Sequence, residues 1–155
     1  MFAAPIAAVV AAVLCVPLLR AADAPEGEGK KPTAKAGDMH SEMGAINRAY
    51  RALNKSVADP AKKDASLASV NEMQLHTVAA KGEIPKTAAT QPADKRDQFV
   101  AGYRKGIIEL LKTEIELEEQ IIAGDTAKAA ETLKKMKQME KDGHAIYQPP
   151  EDRDE

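Results

Sequence analysis

Six apolar side chains constrain this chain more than anything else in it. Met39, Met43, Ile46, Tyr50, Leu53 and Val57 follow one another at alternating steps of four and three residues. At about 100° per residue, that spacing puts all six on one narrow stripe of a helix, an a/d seam. Arg48, Arg51 and Lys55 fall off the stripe. Such a helix cannot bury its apolar face alone and has to pack against others of its kind.

The rest of the chain supplies the partners. Asp38 stands as N-cap to the first helix, expected over 38–57. Asp59 and Pro60 open a second helix, expected over 60–81, because Pro suits the first helical position. Its apolar face is less regular, with Leu67, Val70 and Val78 grouped around Gln74, and Gly82 and Pro85 end it. A loop leads to a third helix over 92–123, carrying Phe99, Tyr103, Ile107, Leu110, Leu117 and Ile121 and stopping at Gly124. Asp125 caps a fourth over 126–147, with a stripe of Ala129, Leu133, Met136, Glu140, His144 and Tyr147. The fold class is therefore all-α, an antiparallel up-down-up-down four-helix bundle. In that topology the first and fourth helices are neighbours. The start of one and the end of the other share an end of the bundle.

Composition agrees and excludes alternatives. Aromatic residues are only 3% of the chain, which disfavours a sheet protein. A formal net charge of −2 offers no basic surface for nucleic acid. No nucleophile has a nearby base, no glycine-rich loop would cradle phosphate, and no acid pair suits hydrolysis, so the sequence does not read as an enzyme. The stretch from Phe2 to Leu19 is nearly all apolar, and small residues follow at Ala21 and Ala22. It reads as a signal peptide over 1–21. The competing reading is a retained membrane anchor, since the run only just reaches spanning length. Residues 22–37, rich in Gly, Pro, Lys and Glu, read as a disordered tether, 38–148 as the bundle and 149–155 as a loose acidic tail. Cys15, the only cysteine, lies in the signal segment, so the mature chain would hold no disulfide, thiolate metal site or covalently attached haem.

The shared end of the first and fourth helices gathers the residues with chemistry. Met39, His40 and Met43 come from one helix, and Met136, Met139, Glu140 and His144 from the other. Met43 and His144 both sit on apolar stripes and should point inward. A thioether and a neutral imidazole converging there form an axial pair for haem iron. The plainer readings are a core-filling methionine and a buried histidine with a polar partner. A third is a haem-free, periplasmic copper-binding or stress-response bundle, in which Met39, His40, Met43, Met136, Met139 and His144 form a soft-ligand set for Cu(I). Gly143, in mid-helix, costs about 1 kcal/mol against Ala and leaves room for a flat ring. His76 is expected on the solvated face of the second helix, opposite Leu67. His40 lies on the flank of its stripe and is expected to be exposed. The acidic run Glu114–Glu119 is expected to be a wet helix face.

These residues also carry a resemblance. The segment DMHSEMGAINRAYRALNK, Asp38–Lys55, resembles the first helix of the soluble cytochrome b562 family. Phe99, Gly102 and Tyr103 match a pattern that opens that family's third helix, and the Gly124 turn and His144 match in register. The resemblance covers roughly residues 38–148. It implies a periplasmic electron carrier with one non-covalent haem b per chain, Met43 and His144 as axial ligands, and Asn47 as a pocket residue. It also implies haem contacts from Met39, Ile46, Tyr50, Val70, Phe99, Tyr103, Met136, Glu140 and Gly143. With both axial positions filled, it implies outer-sphere electron transfer by a monomer, to redox proteins the sequence does not identify and without stable membrane association. Three positions depart from the family. Basic residues that meet the haem propionates are replaced by Glu140 and Gln148, and Gly143 replaces an aromatic. Lys137, Lys141 and Arg51 are the candidate substitutes.

Overall fold

The computed structural model describes residues 38–149. The expected signal segment, the tether over 22–37 and the tail beyond Pro149 lie outside the described residues. Four helices make up the fold: α1, Met39–Ser56; α2, Lys63–Ala80; α3, Arg96–Ala123; and α4, Thr126–Tyr147. A single 3₁₀ turn, Pro60–Lys62, leads into α2. The connection between α2 and α3, expected as a plain loop, contains a 3₁₀ turn at Lys86–Thr90, and the third helix, expected from 92, begins at Arg96 after a separate 3₁₀ turn at Ala93–Lys95. Among the described residues no strand occurs, and no helix is long and apolar enough to cross a membrane.

Local chemistry sets the boundaries. Asp59 accepts a hydrogen bond from the Ala61 amide at 3.0 Å, just ahead of Pro60. Asp125 accepts one from the Lys128 amide at 3.1 Å and so starts α4. Gly124 takes φ +76°, the left-handed conformation that lets α3 end, while the Asp125 amide closes back on the Gln120 carbonyl at 3.0 Å. Asp38 holds the N-cap position of α1 through its backbone alone; its side chain makes no capping bond.

α1 packs on α2, α2 on α3 and α3 on α4, whereas α1 and α4 touch only sparsely. The core joins Ala49, Leu53, Val57, Val70, Met73, Leu117, Ile121, Ala129, Leu133 and Met136. On α1 two stripes run side by side. Glu42, Ala45, Ala49, Leu53 and Ser56 are buried, while Met39, Met43, Ile46 and Tyr50 are only partly covered.

Three expectations about faces are corrected. The core face of α2 is Ser66, Val70, Met73, Thr77 and Ala80, and Val78 is about half exposed. Small and polar residues at core positions concealed that face. His76 is not on an open surface. It sits at the α1–α2 seam with Nδ1 2.7 Å from a Glu42 carboxylate oxygen. Glu114 is fully buried rather than wet. It fills the α3 stripe midway between Leu110 and Leu117, and the Thr77 hydroxyl donates to it at 2.6 Å. Its other oxygen has no hydrogen-bond partner among the described residues. Burial pushes its pKa up to about 7, and the Thr77 hydrogen bond opposes the rise.

Candidate functional site: a cleft between the first and fourth helices

Because α1 and α4 barely touch, a cleft of about 760 Å³ opens between them at the end that holds the start of α1 and the end of α4. That volume suits an organic cofactor and far exceeds the need of a single ion. α1 lines it with Met39, His40, Met43, Ile46, Asn47 and Tyr50. α4 lines it with Met136, Met139, Glu140, Gly143, His144 and Tyr147. The inner wall is Met73 of α2 and Tyr103, Gly106, Ile107 and Leu110 of α3.

Met43 and His144 therefore line one cavity from opposite helices. Met43 is partly covered, and His144 is exposed within the open cleft. His40 is exposed too and stands at the same cleft. Of the residues expected to touch a haem, Met39, Ile46, Asn47, Tyr50, Tyr103, Met136, Glu140 and Gly143 line the cleft. Val70 and Phe99 do not. Val70 is wholly buried in the core. Phe99 packs edge-on against Tyr147, with ring centroids 5.0 Å apart.

The aromatic cluster at this end is tightly built. Tyr147 also meets Tyr103 edge-on at 5.4 Å. The Tyr103 hydroxyl donates to the Ala80 carbonyl at 2.9 Å. Burial, with nearby Glu83 adding to it, pushes the Tyr103 pKa up to about 12, so the ring stays neutral and hydrogen-bonded. Gly102 makes room for the cluster: a Cβ there would lie 2.9 Å from the Tyr147 hydroxyl oxygen. The glycine in the F-x-x-G-aromatic pattern is thus a packing requirement.

Two other glycines behave oppositely. A Cβ at Gly106 or at Gly143 would meet nothing within 4 Å. Both stand mid-helix, where Gly is costly, and both line the cleft, Gly106 from α3 and Gly143 from α4. Bulk is missing where a flat ring would sit, and a thioether and an imidazole border the same space. The residues present fit a haem. Gly106, Met73, Lys86 and the carboxylates Glu83, Glu109 and Asp142 are among the lining residues that sequence reasoning missed. Ile107 and Leu110, on the α3 stripe, line the cleft as well.

Fold and cleft together define a four-helix bundle with an open cleft between its first and last helices. The profile of the cytochrome b562 family matches residues 38–148, and the chain belongs to that family, one of haem electron carriers. No curated protein and no solved structure matches the chain.

Proposed function

We propose that this protein is a periplasmic b-type cytochrome that carries single electrons on one non-covalent haem b, with Met43 and His144 as axial ligands. One observation carries the reading. The thioether and the imidazole border a single, mostly apolar cleft in which the lining positions Gly106 and Gly143 lack side chains. Bound there, the iron would supply a one-electron couple. His144 offers an imidazole nitrogen. Met43 offers a thioether, a ligand that favours the reduced metal. Ile46, Tyr50, Ile107 and Leu110 provide the apolar walls that exclude water from the ring. Export rests on the apolar run Phe2–Leu19 and the small residues after it. A monomer passing electrons to other redox proteins, with no catalysis of its own, completes the reading.

Reduced-minus-oxidised spectra of three variants test the ligands. His144→Ala should abolish haem binding or weaken it severely. Met43→Ala should retain haem with an open coordination position that takes carbon monoxide, and with a lowered potential. His40→Ala should change neither. A haem spectrum unaltered in His144→Ala contradicts the assignment.

A further inference from the structure

We infer that Lys86, on the connection between α2 and α3, is the cation that receives a carboxylate of the bound porphyrin; this rests on the haem reading above. In the family the propionates meet basic residues whose positions are occupied here by Glu140 and Gln148. Among the described residues lining the cleft, Lys86 is the sole lysine or arginine. The proposed substitutes Lys137, Lys141 and Arg51 do not line it. Lys137 is already engaged, 2.6 Å from Glu140 and 5.7 Å from the centroid of the Tyr50 ring.

The placement of Lys86 is built, although its side chain is exposed. Pro85 before it is fully buried. Thr87 after it donates its hydroxyl to the Tyr147 carbonyl at 2.8 Å, tying the turn to the end of α4. The lysine is thus anchored on both sides beside the helix end that carries His144. The remaining charge of the cleft favours a cation there. Asp38, Glu83, Glu109, Glu140 and Asp142 also line it. A dianionic porphyrin entering among these carboxylates would be repelled unless a positive group met its acid edge. No ion pair among the described residues occupies Lys86, so its ammonium is available.

The test compares two ligands on two proteins: ferric protoporphyrin IX and its dimethyl ester, each titrated into the full wild-type chain and into Lys86→Gln. An exposed pair of this kind corresponds to roughly two- to fivefold in affinity. Lys86→Gln should weaken protoporphyrin IX binding by about that factor, less at high salt, and should leave the ester's affinity unchanged. Lys86→Arg should bind like wild type. Because the side chain is exposed, haem-free Lys86→Gln should melt like wild type, which checks that the fold is intact. Equal protoporphyrin IX affinity in wild type and Lys86→Gln overturns the inference and leaves the haem reading standing. An equal loss with the ester overturns it too, since the lysine would then act through packing. Failure of wild type to take up either porphyrin overturns the haem reading and this inference with it.

Discussion

The two ends of the bundle are made from the same helices and differ in what they leave empty. At the closed end, Leu53, Leu117 and Ala129 are fully buried and Leu133 nearly so. The space left among Val57, Pro60, Ser66, Ile121 and Ala129 is about 50 Å³. At the open end the cleft is about 760 Å³. α1 serves both, with Leu53 and Val57 packed against protein and Met39, Met43, Ile46 and Tyr50 lining the cleft. Periodicity therefore decides which face turns inward, while the volume of the opposing side chains decides whether protein fills the space. The closed end is filled by Leu117, Ile121 and Leu133, whereas the lining of the open end includes two positions without side chains, Gly106 and Gly143.

The largest break in that contrast should come from truncating the closed end. Leu117→Ala should cost 2–5 kcal/mol in urea unfolding, the usual range for a buried leucine. Met43→Ala in the haem-free protein should cost under about 1 kcal/mol, because its side chain borders space already open. Comparable losses for the two would mean that the ends are equally packed.

Glu114 lies between the ends and makes stability depend on pH. Its folded pKa, about 7, lies above the ordinary 4.5, so the folded state holds this proton more tightly than the unfolded chain does. The associated stability is fully present below about pH 4.5 and is lost as pH rises through about 7. The full loss is on the order of 3 kcal/mol. Glu114→Gln keeps an acceptor for the Thr77 hydroxyl and removes the titration. Its unfolding free energy should be flatter across that window, and it should exceed wild type at pH 8. A Glu114→Gln profile parallel to wild type would place the pH dependence elsewhere.

Smaller effects sharpen the comparison within the open end. Gly102→Ala should destabilise the protein by about 1–2 kcal/mol, because its Cβ would press on the Tyr147 hydroxyl within a packed ring cluster. Gly143→Ala should do the reverse. With open space around the new methyl, the haem-free protein should gain about 0.5–1 kcal/mol of helix stability, while haem affinity falls. Thermal melts of the two variants, with and without haem, read both signs.

Much of this was legible in sequence. The caps at Asp59 and Asp125 and the stop at Gly124 follow from local chemistry that tertiary contacts do not override. The pairing of Met43 with His144 at one end followed from the antiparallel order. What escaped was residue type at odds with position. The α3 stripe steps from Leu110 to Leu117 across Glu114, so the register already placed that carboxylate inside; its charge argued the other way. Ser66 and Thr77 hid the core face of α2, and His76 was misread because its partner, Glu42, comes from another helix. Lys86 sits in a connection without periodicity, where spacing gives no orientation. The width of the cleft depends on how far α1 and α4 stand apart, which no single-helix pattern encodes.

The central claim is that the open end is the seat of one haem. Titration of the wild-type chain with ferric protoporphyrin IX, followed by visible absorbance, tests it most directly. The account predicts a sharp endpoint at one haem per chain, with the spectrum of a six-coordinate iron held by thioether and imidazole. Absorbance that rises without an endpoint, as for free porphyrin, would contradict it.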